Sequence, residues 1–344
     1  MNDWQIQKMV RGGVIQGSFH SIISLENLFS AWSEFKKGKM QSADVQAFAF
    51  NLEENVFNLH QTLLKKQWQP DPYQAFYVRD PKLRHIHKAS VRDRVLYHAV
   101  FRVLYPIFDP LFIHDSYSCR LGKGTHAGVQ RLEQYLRKAS RNYTQPYYAL
   151  KCDVKKFFDS ISHTTLLRLI QKRIYDTETI ALIRQIIRSF QKTPGCGLPL
   201  GNVTSQLFAN IYLNELDQFV KHRLKISYYL RYCDDFIILD SEPSMLITLI
   251  PIIRSFLFDS LQLTLHPKKI SIRKISTGID FLGYVVLPHY QVVRTSTRKR
   301  IFRKLSASDM RVRKASVDSY IGITTHAKGY LIKQRILEIC AVNN

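Results

Sequence analysis

Residues 228–239 read Tyr-Tyr-Leu-Arg-Tyr-Cys-Asp-Asp-Phe-Ile-Ile-Leu. Two short runs of β-formers flank an acidic pair, so the stretch is expected to fold as a β-hairpin with Asp234 and Asp235 at or near its turn. Adjacent aspartates are common in solvated surface turns. These two are rooted in apolar strands on both sides, and charges held by such a scaffold need a compensating cation. Oxygen ligands of this kind suit magnesium or manganese.

A second carboxylate of the same sort ends another β-like run, Tyr147 to Asp153, inside the segment LKCDVKKFFDS at 150–160. If the two strands are neighbours, Asp153 faces Asp234 and the pair could share two metal ions. That is the machinery of in-line phosphoryl transfer. Five residues on, Phe158 is either plain core or an aromatic wall beneath a sugar. The loop GLPLGNVTSQ (197–206) carries two glycines and a proline that let the backbone approach a flat ligand closely. Gly-Pro turns precede many helices, so this loop says little alone.

The whole chain has 344 residues and is 45% hydrophobic, which excludes a disordered or low-complexity protein and allows a sizeable core. Its 50 Lys and Arg outnumber 27 Asp and Glu, leaving a formal charge of +23 and pointing to a polyanionic partner. Nucleic acid leads, with an acidic membrane surface as rival. Five scattered cysteines with no C-x-x-C pair argue against a disulfide framework or structural zinc and suit a reducing cytoplasm. The N-terminus does not read as a secretion signal. The most apolar window, Met245 to Phe258, contains Pro251 and Arg254 and is expected to be a buried helix, not a bilayer span. A cytoplasmic protein without a membrane partner is the expectation.

Residues 24–68 favour helix, with Val56, Leu59 and Leu63 in three-to-four steps, until Gln69-Pro70-Asp71-Pro72 breaks the pattern. A β-like run at Phe76–Val78 precedes a basic stretch from Arg79 to Arg94. Leu96 to Leu104 reads as a helix closed by Pro106, and Leu166 to Phe190 reads as helical. Ala209, Leu213, Leu216, Val220 and Leu224 mark one face of an amphipathic helix. Residues 279–287 (IDFLGYVVL) read as a strand bounded by Pro288. The tail, 294–344, holds twelve Lys or Arg against three acidic residues, so it is either a solvated helix face or a helical lobe that tracks phosphates.

Taken in order, these blocks resemble the reverse transcriptases of the bacterial and group II intron-like lineage, over roughly residues 76–290. Tyr232-Cys233-Asp234-Asp235 matches that family's Tyr-x-Asp-Asp block, and VKKFFDSI matches the block carrying the first metal-binding aspartate. LTLHPKK (263–269) is similar to the block whose lysine assists the leaving pyrophosphate, here Lys269. FLGY (281–284) is similar to the primer-grip hairpin, and PKLRHIHKASVRDRV (81–95) to the segment that meets the incoming triphosphate.

The resemblance implies an α+β right-hand polymerase with an antiparallel palm sheet. Its parts would be a helical lead-in at 1–69, fingers at 70–148, palm at 149–165 and 196–287, a helical insertion at 166–195 and a basic thumb at 288–344. It implies two Mg2+ ions, with Mn2+ as a substitute, held by Asp153, Val154, Asp234 and Asp235. It also implies nucleotide contacts at Lys82, Arg84, Lys155, Lys156, Phe157, Phe158, Leu200, Gly201 and Gln206. Primer and template would meet Tyr232, Phe281, Leu282, Gly283, Tyr284, Arg298, Lys299, Arg300 and Arg303.

One departure narrows the resemblance. Most of the family carries Gln before the central glycine and Ser-Pro after it, whereas this chain has Leu200 before Gly201 and Ser205-Gln206 after it. That pattern resembles the reverse transcriptases of diversity-generating retroelements, as do KGTHAGV (123–129), TSQLFANIY (204–212) and HAKGY (326–330). Such enzymes copy a template-repeat RNA with errors opposite adenine, alongside a basic, helical accessory protein. A leucine cannot make the orienting hydrogen bond of a glutamine, a loss of about 1 kcal/mol in holding the correct nucleotide. Leu200 as plain core packing is the alternative. Other readings of the whole are a retron, defence-associated or group II intron enzyme, and a catalytically silent RNA-binding protein on the same fold.

Overall fold

The computed structural model describes residues 17–79, 83–307 and 310–341. The fold is mixed α+β, and the chain divides into two compact units, each made of three stretches. The first comprises Met1–Ile113, Val154–Phe219 and Ser255–Thr264; the second comprises His114–Asp153, Val220–Arg254 and Leu265–Asn344.

The first unit is mainly helical. Ser24 caps the helix Leu25–Phe35 by accepting the Asn27 N–H at 3.2 Å. Leu28, Ala31, Trp32 and Phe35 recur at three-to-four spacing and are all buried on the helix Val91–Phe108. Asn27 ties the same two helices by donating to the Ala99 carbonyl at 3.1 Å, and it also donates to the Ile22 carbonyl of the helix Ser18–Ile23 at 3.0 Å. Strands β1 (Gln74–Arg79) and β2 (Leu83–Lys88) form an exposed antiparallel ribbon.

One helix expectation is corrected here and another is refined. Pro106 does not close its helix, which runs on to Phe108. The proline forfeits one ladder bond, while Phe108, almost fully buried, draws the last turn into the core. The span 166–190 is two helices, His163–Gln171 and Thr177–Arg188. The break exists because Asp176 starts the second helix as its N-cap, accepting the Glu178 N–H at 3.2 Å. The same carboxylate takes the Phe19 N–H at 2.8 Å, the Thr179 hydroxyl at 2.7 Å and the Ser18 hydroxyl at 3.2 Å.

The second unit is built on a four-stranded antiparallel sheet. Its order is β4 (Tyr229–Tyr232), β5 (Asp235–Asp240), β3 (Tyr148–Asp153) and β6 (Ser271–Lys274). Alternation sends Ala149, Leu230, Ile237 and Leu239 to one face, where Val129, Leu132, Leu136 and Ala139 of the helix Thr125–Ala139 cover them. Residues 279–287 are not one strand. They fold as β7 (Ile279–Phe281) and β8 (Tyr284–Leu287), because Leu282 and Gly283 both take left-handed φ, 50° and 92°. Strand β9 (Tyr290–Val293) completes this second sheet. The basic tail forms helices Thr295–Ala307, Met310–Thr325 and Tyr330–Ala341, joined by a small core of Ile301, Leu305, Tyr320 and Ile336.

The apolar window at 245–258 also differs from expectation. Its helix spans Pro243–Leu261, and one face (Leu246, Leu249, Ile253, Leu257, Leu261) is buried while Met245, Ile247, Ile252 and Phe258 are exposed. Among the described residues it is the one helix whose length and composition would suffice to cross a membrane. Its amphipathic burial, at three-to-four spacing, is that of a helix packed on one side.

Asp176 gives a test of this packing. Burial acts to raise its carboxyl, but hydrogen bonds from Thr179, Phe19, Glu178 and Ser18 outweigh that and hold it below its ordinary range. A depressed folded pKa stabilises fully above the ordinary carboxylate range and is lost as pH falls through the folded value. Asp176→Ala should therefore cost about 2 kcal/mol at pH 7. Urea melts of both proteins should show the gap narrowing as the pH falls below 4.

Candidate active site

The strand register sets the central geometry. Pairing of β3 with β5 places Asp153 directly opposite Asp235. Pairing of β4 with β5 closes the hairpin at Tyr232 and Asp235, so Cys233 and Asp234 form the turn. It is thus Asp235, not Asp234, that faces Asp153. The difference is one position of register, which turn length decides and strand composition does not. Cys233 adopts φ 54°, a left-handed conformation that costs an L-residue about 1–2 kcal/mol.

Two lysines address this cluster. Lys269 Nζ donates to Asp153 Oδ2 at 2.6 Å. Lys151 Nζ lies 3.1 Å from Asp235 Oδ2 and donates to the Asp280 carbonyl at 2.9 Å. Lys151 shares the face of Asp153 because it lies two residues earlier on the same strand. Lys269 ends a 3-10 turn, Pro267–Lys269, anchored where the His266 N–H meets the Asp153 carbonyl at 2.8 Å.

The remaining oxygens are the chemically informative ones. Asp153 Oδ1 and Asp235 Oδ1 are buried and have no hydrogen-bond partner. Burial pushes the Asp235 carboxyl up to about 6, with Lys151 opposing and the neighbouring aspartates adding to the rise. Burial, then the charge of Asp153, also raises Asp234. Hard, unsatisfied carboxylate oxygens beside a third acidic group fit a divalent cation. The fit rests on these two oxygens: among the described residues no three His, Cys, Asp or Glu side chains already converge at ligating distance. Val154 is buried and has only its carbonyl oxygen to offer. Burial pushes the adjacent Cys152 thiol up to about 12, which leaves it inert.

The other sequence-derived residues fall in both units. In the second, the Thr125 hydroxyl donates to Tyr232 Oη at 3.4 Å, and the buried Tyr284 hydroxyl donates to the Ile323 carbonyl at 3.1 Å. Phe281 is buried, with Lys151 Nζ 5.9 Å from its ring centre, and Leu282-Gly283 form the β7–β8 turn. Arg298 and Lys299 line a cavity of about 550 Å3 with Phe302 and Arg335. Arg300 is half-buried and Arg303 exposed.

In the first unit, Leu200, Gly201 and Gln206 line a cavity of about 380 Å3 together with Phe35, Lys39, Lys88, Arg94 and His98. Lys88 and Arg94 share the carboxylate of Asp44 at 2.7 and 2.6 Å, and burial followed by the nearby cations pushes His98 down to about 4. Phe157 is buried and Phe158 half-buried, their rings edge-on at 5.4 Å; Lys155 and Lys156 are exposed. Arg84 is exposed on β2, and Lys82 lies outside the described residues. The ribbon also carries a line of rings, Tyr77 on His85 at 4.4 Å, His85 to His87 at 4.3 Å and His87 to Phe190 at 4.7 Å.

Sequence reasoning missed Lys151, Arg231 and the ion pair of Arg294 with Asp280. Alternation from Asp153 was a signal for Lys151. A charged residue at an inward position of Tyr-Tyr-Leu-Arg-Tyr was one for Arg231.

The sequence profile described as "Reverse transcriptase (RNA-dependent DNA polymerase)" matches residues 71–286. Protein YkfC of Escherichia coli is 25% identical over 266 residues, which cover 66% of this chain and 69% of that protein. The group II intron-encoded protein LtrA of Lactococcus lactis is 28% identical over 208 residues, covering 58% of this chain but 33% of that protein. Among solved structures, apo telomerase from Candida tropicalis, truncated from its C-terminal domain, aligns with a TM-score of 0.49 at 14% identity, over 68% of this chain and 59% of that one.

The coupling between Lys151 and Asp235 is measurable. Lys151→Met leaves a half-buried carboxylate uncompensated and should lower stability by about 2 kcal/mol. Adding Asp235→Asn should recover about half of that loss. A denaturation double-mutant cycle reads the interaction, and strict additivity would mean that the two side chains do not interact.

Proposed function

Because the chain belongs to the reverse transcriptase family, we propose that it is an RNA-directed DNA polymerase whose active site is built from Asp153, Asp234 and Asp235. The observation that carries this is the opposition of Asp153 and Asp235 across two paired strands, each with a buried, unpartnered Oδ1. A protein that only binds RNA has no use for such a pair, whose burial is costly without a cation.

In this reading Asp153 Oδ1, Asp235 Oδ1, the Asp234 carboxylate and the Val154 carbonyl would be the ligands. When bound, two Mg2+ ions, or Mn2+ in their place, would activate the primer 3′-hydroxyl and neutralise the triphosphate. Lys269 holds a proton at Nζ and would give it to the departing pyrophosphate. Phe158 would pack beneath the sugar and exclude a 2′-hydroxyl. The basic residues Lys82, Arg84, Lys155 and Lys156 would meet the triphosphate. Tyr232, the 281–284 turn and Arg298 to Arg303 would hold primer and template by phosphate contacts. Fingers at 70–148, palm at 149–165 and 196–287 and thumb at 288–344 are the matching subdivision.

The narrower reading is a mutagenic enzyme of a diversity-generating retroelement. Leu200 before Gly201 and Ser205-Gln206 after it support this reading, because a leucine offers no hydrogen bond to orient the incoming nucleotide. Two of the segments behind the narrower resemblance also meet: His126 stacks on His326 with ring centres 3.8 Å apart. A template-repeat RNA and a basic, helical accessory protein are the partners this reading requires. The similarity to LtrA favours a second reading, a group II intron-type enzyme.

Extension of a DNA primer on an RNA template, with deoxynucleotides and Mg2+, tests the polymerase reading. Asp234→Ala should lower the rate about 10³-fold, and equal rates in both proteins would contradict it. Sequencing the product separates the two subtypes. Errors concentrated opposite adenine, and reduced a few-fold by Leu200→Gln, fit the mutagenic enzyme. Errors spread evenly over the four template bases fit the intron type.

A further inference from the structure

We propose that Arg231 is a positioning residue for the acidic turn: its guanidinium fixes the main chain at Cys233 and so holds Asp234 and Asp235 in place beside Asp153. The inference rests on the polymerase reading of those aspartates and assigns the device that keeps them in register.

Arg231 is wholly inaccessible to solvent and, among the described residues, is the bulkiest of the fully buried side chains. Its strand-mate Tyr229, its cross-strand partner Phe236 and the next residue on that face, Ile238, are also fully buried. In such surroundings a methionine or leucine would fill the space without the cost of desolvating a cation. The guanidinium does what neither can. Nη1 donates to the Cys233 carbonyl at 3.0 Å and Nη2 donates to Ser116 Oγ at 3.0 Å. The planar fork therefore spans two chain segments at a fixed separation.

Each end of that span is itself constrained. The Arg231 N–H donates to the Asp115 carbonyl, and the Arg231 carbonyl accepts from the Tyr117 N–H, both at 2.9 Å. The Asp115 carboxylate accepts from Arg131 Nε at 2.8 Å, from the Tyr117 hydroxyl at 3.2 Å and from the Tyr135 hydroxyl. Segment 115–117 is thereby pinned to the helix Thr125–Ala139, independently of the hairpin. At the other end Cys233 sits at φ 54°, a conformation that a non-glycine residue keeps only where its surroundings hold it. Arg231 passes the rigidity of the first segment to the strained turn.

A merely structural arginine would change stability and nothing else, so the test reads metal binding as well as turnover. Mn2+ affinity of the protein alone is measured from the free-ion electron paramagnetic resonance signal. Turnover and the KM for dTTP are measured on poly(rA) primed with oligo(dT), all below the melting temperature of each variant. Arg231→Met should weaken Mn2+ binding and turnover about 10- to 100-fold, with KM for dTTP within about threefold. Arg231→Lys, which keeps one donor, should fall between. Ser116→Ala, which removes the Nη2 bond to Ser116 Oγ, should shift Mn2+ affinity about threefold in the same direction.

Leu132→Ala, in the core beneath the sheet, serves as the stability control and should lower the melting temperature with Mn2+ affinity unchanged. Wild-type Mn2+ affinity and turnover in Arg231→Met would overturn the inference, as would an equal shift in Leu132→Ala. If Arg231→Met does not fold, unchanged Mn2+ binding in Ser116→Ala overturns it. A wild-type protein that neither binds Mn2+ nor extends the primer removes the polymerase reading itself, which is a distinguishable failure.

Discussion

Two carboxylates facing each other across an antiparallel rung, in a sheet covered by apolar side chains, is the constraint on which the second unit depends. Like charges at that spacing repel, and burial strips them of water. The structure answers with one lysine for each aspartate, Lys269 for Asp153 and Lys151 for Asp235. It still leaves one oxygen of each without a partner. The site is therefore only partly neutralised by the protein, and a divalent cation would meet that residual demand for positive charge.

The register that creates this opposition is held from several directions. Tyr232 and Asp235 close the hairpin, the 3-10 turn at Lys269 is bonded to the Asp153 carbonyl, and Arg231 links the turn to segment 115–117. A slip of one residue would send Asp235 to the opposite face and bring Phe236 against Asp153. Basic residues elsewhere form separate groups, Lys39, Lys88 and Arg94 around the cavity at Leu200, and Arg298, Lys299 and Arg335 around the cavity in the tail. These clusters share no residue with the acidic centre, whose two lysines are each paired with an aspartate.

Much of this was legible before any coordinates. The hairpin at 228–239, the strand ending in Asp153 and the helical basic tail all follow from strand alternation and helical periodicity, which are local. What escaped was non-local or set by single residues. Pro106 looked like a stop because local rules cannot weigh the burial of Phe108. The split at 172–176 depends on Asp176 bonding to Ser18 and Phe19, more than 150 positions away in sequence. Asp234 rather than Asp235 was paired with Asp153 because turn length, not composition, sets register. The exposure of Met245 and Phe258 reflects a helix packed on one side, which its nearly uniform apolar sequence conceals. Lys151 and Arg231 were passed over because each gains its meaning from a partner that only the fold supplies.

In the proposed active site Asp153 and Asp235, with Asp234 beside them, would hold the catalytic cations. Anomalous diffraction from crystals grown with an RNA template, a chain-terminated DNA primer, an incoming nucleotide and Mn2+ tests it most directly. Anomalous peaks are expected within coordination distance of Asp153 and Asp235, with their Oδ1 atoms as ligands. Metal peaks elsewhere, with both aspartates paired only to Lys269 and Lys151, would contradict it.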